Sequence, residues 1–217
     1  MQAVGFGNVG GTWDVGRTRP AGILGFHPQA PCMHSRIREL TQHLDATRDE
    51  VRRAVDSVPG ALRDRTPPGG GWTVAEVIDH LARAEKGTAG IFAKHVDEAR
   101  SNGLGPERSE DSAISAFPGD RIRSRVRKVI SPDFIEPRAG VSFDDAWQAL
   151  AASRSAILAA ITKADGLALC DVKATHPFLG PLDMYHWVAF AGYHEGRHAA
   201  QIEEIAQAFA SAGPHAS

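Results

Sequence analysis

The sequence predicts an all-α fold, a four-helix bundle with a long connection between its second and third helices. Three observations carry this. Apolar residues return at alternating three- and four-residue steps in four long segments, the period of a helix with one buried face. Two of those segments open on a Thr or Ser with an acidic residue three positions later, which marks a helix start. Sustained period-2 alternation, the mark of a half-buried strand, is absent from the sequence, as are internal repeats.

Composition narrows the function classes. At 217 residues the chain suits one domain with extra segments. The balance of 24 Lys and Arg against 26 Asp and Glu points to neither nucleic acid nor a membrane as partner. Two cysteines, Cys32 and Cys170, make no disulfide framework and fit a reducing compartment. No apolar run reaches about 18 residues, and the N-terminus lacks a basic stretch followed by an apolar one. A soluble, cytoplasmic protein is expected.

Residues 1–32 hold seven glycines and three prolines without either period, and read as a disordered or loosely attached extension. Residues 33–212 are then the bundle domain. Met33 stands directly before the first helix, which raises the hypothesis that translation begins there. Protein from the native locus with an intact mass that includes residues 1–32 would exclude it.

The first helix opens near Ser35, with Ile37, Leu40, Leu44, Thr47, Val51, Ala54 and Val58 as its inward seam, and Pro59-Gly60 ends it. The second starts at Thr73, whose partner Glu76 completes a capping box, with Trp72 as a staple before it. Its seam runs Val77, His80, Leu81, Ala84, Thr88, Ile91 and His95. Residues 101–141 are weakly patterned; within them Arg121 to Lys128 carries five positive charges in eight residues, read as a solvated basic face. Ile122 and Val126 alternate with those arginines, which fits a short half-buried element. The third long helix opens at Ser142 with Asp145 as capping partner, and buries Ala146, Trp147, Leu150, Ile157, Leu158 and Ile161 until Asp165-Gly166. Thr175 to Pro181 reads as a rigid loop, and the last helix runs from about Leu182 or Asp183 to Ala210.

That last helix organises the chemistry. Its inward stripe of Trp187, Phe190, Ala191, His194, His198, Ile202, Ile205 and Phe209 is apolar except for two histidines. A spacing of four places both imidazoles on one face, the arrangement by which a helix offers two nitrogens to one metal ion. His80 lies on another inward stripe. Three readings compete. Three separately hydrogen-bonded core histidines would be an awkward way to fill a bundle. His194-Glu195-Gly196-Arg197-His198 also matches the zinc-protease pattern H-E-x-x-H. However, only 19 residues follow His198, and Gln201 stands where a turning glycine would be needed. A continuing helix carries Glu204 about 240° away from His198. The third reading joins His80 to His194 and His198 in a three-histidine site with coordination positions left open.

The motifs around these histidines resemble the DinB/YfiT-like superfamily of small metal-binding four-helix bundles. The resemblance lies in Gly71-Trp72-Thr73-Val74-Ala75-Glu76-Val77-Ile78-Asp79-His80-Leu81, in His176-Pro177-Phe178-Leu179-Gly180-Pro181-Leu182 leading to Trp187, and in His194-Glu195-Gly196-Arg197-His198-Ala199-Ala200-Gln201-Ile202. It covers about residues 35–210 and leaves residues 1–32 without a counterpart; Arg154 falls where such proteins often carry an arginine. The resemblance implies His80, His194 and His198 as ligands of a divalent transition metal, commonly zinc or nickel. It also implies a homodimer in many members, and small-molecule chemistry that often uses a low-molecular-weight thiol.

Two function classes follow. One is a metal-dependent thiol transferase or hydrolase, in which the metal activates a thiol or water. The other is a non-catalytic metal-binding stress scaffold or sensor. A fourth protein ligand, such as His95 or a glutamate, would close the site and favour the second. Glu195 is expected in a salt bridge or a contact with a neighbouring helix rather than as a base, and Asp79 on a solvated face rather than supporting His80. Arg197 is left between binding an anionic substrate and pairing with an acid. His176 is expected near the bundle mouth but not as a ligand, and Cys170 merely packed.

Overall fold

The computed structural model describes residues 33–126 and 132–212. The expectations for residues 1–32, the Met33 start included, and for Arg127 and Lys128 lie outside the described residues.

Among the described residues four long helices form, α1 (Ser35–Asp56), α2 (Val74–Ser101), α4 (Phe143–Lys163) and α5 (Met184–Ala212), with a short helix, α3 (Gly119–Arg123), in the connection. The expected seam of α1 is buried at every position, because each of its apolar residues meets α5 or the core between helices. The capping box closes as written: Thr73 Oγ1 accepts from Glu76 N at 3.0 Å, and Glu76 Oε2 accepts from Thr73 N at 2.8 Å. Ser142 Oγ likewise accepts from Asp145 N at 3.1 Å. Asp183 Oδ1 accepts from His186 N at 2.8 Å and satisfies an orphan donor in the first turn of α5.

α1 packs along α5, α2 along α4, and α2 also meets α5. The core divides into two apolar levels. One joins Leu40, Leu44, Phe92, Ile157, Ile161 and Val188. The other joins Val51, Val77, Leu81, Leu150 and Ile202. Each long helix passes from one level to the other through a single charged residue: Arg48, Glu85, Arg154 and Glu195.

Three expectations change. The segment read as a rigid loop is a β-hairpin, with β1 (Lys173–His176) antiparallel to β2 (Gly180–Asp183) and His176 opposite Gly180. Four-residue strands are too short to display a period, and in a two-stranded ribbon every position is an edge that tolerates Pro181. Gly180 supplies the positive φ of 75° that the turn requires. In the C-terminal half of α2, Phe92 and Val96 are buried in the core and Ile91 packs partly against it, whereas His95 pairs with Glu98 instead. The basic stretch is not simply a solvated face: Arg123 pairs with Glu50 on α1, Arg125 pairs with Glu204 on α5, and Ile122 packs on the core. Val126, expected to be half-buried, is 93% exposed.

The long connection from α2 to α4 is held at several points. Glu107 accepts from Tyr185 Oη at 2.6 Å and from Arg36 at 2.7 Å, while the Arg36 guanidinium lies 4.0 Å over the Tyr185 ring. Burial pushes the Glu107 carboxyl up, but the Tyr185 hydroxyl, the Ser109 and Arg108 amides and the Arg36 charge together hold it at about 2. Phe117 and Ala113 bury beside the bundle, and a 3₁₀ turn, Asp133–Ile135, reaches the second turn of α2. No described helix is long and apolar enough to cross a membrane.

Candidate metal centre

Helical geometry presents the three histidines from two facing elements. His80 comes from the second turn of α2; His194 and His198 come from successive turns of α5. His194 Nε2 lies 3.3 Å from His80 Nε2 and 3.2 Å from His198 Nε2. All three potential ligand atoms fall within 4.8 Å of one another. An ion about 2.0–2.1 Å from each nitrogen would space tetrahedral donors by about 3.3 Å.

Outer hydrogen bonds set the tautomers. His80 Nδ1 stands 2.8 Å from the Ile135 carbonyl, which can only accept, so Nδ1 carries the proton and Nε2 keeps its lone pair. Gln201 Oε1 takes a long hydrogen bond from Arg125 and so faces His198 Nδ1, 2.7 Å away, as an acceptor too. Thus the Nε2 lone pairs of His80 and His198 both turn toward His194. Such convergence suits a cation, and outer bonds of this kind orient metal-ligating histidines. Burial lowers all three rings: His194 to about 3, helped by the charge His80 would carry, and His80 and His198 in the same direction. The rings are therefore neutral at neutral pH, the form that ligates. Trp72 lies 5.0 Å from the His80 ring, and Phe190 stacks on His194 at 5.4 Å, so aromatic walls flank the cluster on two sides.

The five residues His194 to His198 serve four different neighbours, because each step along a helix turns about 100° and only the first and fifth share a face. The two histidines face α2. Glu195 points into the bundle, 2% exposed, where Arg48 and Arg154 bind it. Gly196 leaves room for Arg123: a Cβ there would lie 2.2 Å from that guanidinium. Arg197 donates to the Ser124 carbonyl of the connection. The expected salt-bridge role of Glu195 is the one observed, and Arg197, left open by the sequence, reaches back to the main chain.

Arg48 and Glu85 join Glu195 at its level of the bundle, and the sequence carries a signal for both. Arg48 lies between Leu44 and Val51 on a buried stripe, and Glu85 lies one turn after Leu81 on another. The pattern flags a charge on an apolar face but not its partner. Glu85 accepts from Arg154 Nε at 2.7 Å, Ser153 Oγ at 2.6 Å and Arg48 Nη2 at 3.1 Å. Arg154, noted only through the family resemblance, thus joins α4 to α2 and α5.

Other expectations resolve individually. Asp79 is not solvated; it is 1% exposed and accepts from Arg138 Nη2 at 2.6 Å and Arg138 N at 2.8 Å. Burial raises its carboxyl, Arg138 more than offsets this, and the net shift is downward. Its ionised form therefore holds the connection beside His80 rather than touching the ring. His95 pairs with Glu98 at 3.6 Å, away from the cluster. His176 is buried against Phe190 and Trp187, at 4.3 and 4.8 Å, with burial lowering it to about 4. Cys170 is half-buried and its thiol is pushed up by burial, which disfavours a reactive thiolate. Glu204, the residue tested against the protease pattern, binds Arg125 on the outer face of α5.

Comparison with known proteins places these features in context. A family model described as the DinB superfamily matches residues 43–202. The uncharacterized protein YuaE of Bacillus subtilis (strain 168) is 25% identical over 138 residues, spanning 62% of this chain and 76% of that protein. Among solved structures, TT2238, a four-helix bundle protein, aligns with a TM-score of 0.48 at 20% identity, over 76% of this chain and 96% of that one.

Proposed function

The chain belongs to the DinB superfamily, and on that premise we propose that it is a metal-dependent enzyme acting on a small molecule, with His80, His194 and His198 holding one divalent transition metal ion. The observation that carries the reading is the convergence of three neutral imidazoles whose Nε2 atoms lie 3.2–3.3 Å from their neighbour. Three nitrogen donors of borderline softness favour zinc or nickel over calcium or magnesium.

A bound ion of this kind lowers the pKa of a thiol or water and makes it a nucleophile near neutral pH. The chain's own residues do the rest. The Ile135 carbonyl and Gln201 keep the protons of His80 and His198 on Nδ1, so that Nε2 faces the centre. Trp72 and Phe190 wall the cluster and restrict water on two sides. Arg197 and Arg125 lie close enough to depress the rings of His194 and His198, whereas at His80 the Asp79 carboxylate acts in the opposite direction and outweighs Arg83. A low-molecular-weight thiol is the co-substrate that the family resemblance implies, and a homodimer the assembly.

A closed, non-catalytic metal site is the competing reading. Among the described residues the cluster contains three candidate ligands and no fourth. Glu195, the nearest glutamate in sequence, is committed to Arg48 and Arg154. An open position supports catalysis over a structural role.

The test is metal content of the purified protein by elemental mass spectrometry, beside His80→Ala and His194→Ala. The expected outcome is about one zinc or nickel per chain, lost in both variants, followed by turnover in a screen of thiols against electrophiles. A parent protein that takes up neither ion on reconstitution overturns the reading.

A further inference from the structure

Four charges lie at one level of the bundle core, one from each long helix: Arg48 from α1, Glu85 from α2, Arg154 from α4 and Glu195 from α5. All are at most 7% exposed, and they sum to zero. Both guanidiniums bridge both carboxylates. Arg48 reaches Glu195 Oε1 through Nε and Nη2 at 2.9 and 2.6 Å, and Glu85 Oε2 at 3.1 Å. Arg154 reaches Glu85 Oε1 at 2.7 Å and Glu195 Oε2 at 2.8 Å. Thr47 Oγ1 and Ser153 Oγ fill further lone pairs at 3.2 and 2.6 Å.

We propose that this ionic level positions the metal histidines by fixing the rotation of α2 and α5 about their own axes. The inference rests on the metal-centre reading above. Glu85 and Glu195 belong to the two helices that carry the three histidines, and Glu195 lies between His194 and His198 in the chain. Apolar packing resists separation of helices but is non-directional. A planar guanidinium fork bound at two carboxylates accepts a narrow range of angles.

The leverage is large. An imidazole Nε2 stands about 6–7 Å from its helix axis, so a rotation of about 10° moves it by about 1 Å. Metal–ligand distances tolerate only about 0.2 Å. Buried ion networks contribute little net stability over well-packed apolar residues of like size. Stability alone is therefore a weak reason for placing four charges at this level. Arg48, Glu85, Arg154 and Glu195 are thus positioning residues, acting through helix rotation rather than by touching the ion.

Cobalt(II) titration followed by its visible absorption, with thermal unfolding of each metal-free protein alongside, tests this. The quadruple variant Arg48→Met, Glu85→Leu, Arg154→Met, Glu195→Leu removes every charge at once. It is expected to fold with a melting temperature near the parent's, and to bind cobalt(II) about 10–100-fold more weakly, as when outer partners of metal ligands are lost. Two charge-balanced pairs cover a quadruple variant that fails to fold. Arg48→Met with Glu195→Gln frees α5 from its main anchor and is expected to weaken binding at least about 10-fold. Glu85→Leu with Arg154→Met keeps the Arg48–Glu195 forks and is expected to weaken it less. Parent-like affinity and spectrum in a folded quadruple variant overturn the proposal, as does cobalt affinity that merely follows stability across the two pairs. A parent that binds no cobalt(II) overturns the metal-centre reading itself, and is distinguished by appearing before any substitution.

Discussion

His194 shows how far a single residue can be read. Its place on an apolar stripe and its spacing from His198 were visible in the sequence, and both required the imidazoles to share a face. Its depressed ionisation, about 3 in the fold, is a tertiary property that arises chiefly from burial. The consequence has a definite sign. An unfolded histidine binds a proton below about pH 6.5, whereas the folded His194 does not until far lower. Stability of the metal-free protein is therefore full above that value and falls as pH drops toward the folded value. Each such ring adds a slope of about 1.4 kcal/mol per pH unit. Urea unfolding at pH 7, 6 and 5 should show this decline, and His194→Gln should flatten it by about one ring's share. At Arg154 the prediction is a loss of stability. Arg154→Met leaves two buried carboxylates facing one guanidinium, and should destabilise the protein by about 3–5 kcal/mol in chemical denaturation.

Elements were legible where they are long and locally capped. The helices α1, α2 and α4 follow from seams written within their own residues, and the starts of α2 and α4 also from the caps at Thr73 and Ser142. The hairpin was not legible, since four-residue strands carry no period and are held partly by bonds from elsewhere, such as Trp187 Nε1 donating to the Ala174 carbonyl at 3.2 Å. In α5, two glycines that weaken a helix on propensity alone have packing reasons. A Cβ at Gly192 would lie 2.3 Å from the His43 ring, whose Nε2 hydrogen-bonds the Ala189 carbonyl. Gly192→Ala should therefore cost about 1–3 kcal/mol through overpacking. At Gly196 the neighbour is the tip of the Arg123 side chain, which can swing aside. There the gain in helix propensity, about 1 kcal/mol, should roughly offset the displaced Arg123–Glu50 pair. Thermal unfolding of the two alanine variants separates these outcomes.

For the whole molecule, a metal on His80, His194 and His198 would join α2 to α5 and so add to global stability by binding only the folded state. At a free ion concentration of about 100 times the dissociation constant the gain is about 2.7 kcal/mol. For a domain of this size that corresponds to a rise in melting temperature of roughly 5–10 °C. Zinc or nickel added to metal-free protein should produce such a rise, chelation should reverse it, and His194→Ala should show none. Equal shifts in parent and variant would place the ion elsewhere.

The sequence by itself determined four helices and their seams, the caps of two of them, and three histidines directed inward, because periodicity and capping are local and are written within one or two turns. Tertiary structure decided what those local signals do not encode. It brought His80 beside His194 across 114 positions of chain, and closed Arg48, Glu85, Arg154 and Glu195 into one neutral level. It also turned the weakly patterned connection into a strap whose Ile135 carbonyl sets the tautomer of His80. A charge on a buried stripe reveals that a partner must exist, but which helix supplies it depends on how the helices are packed.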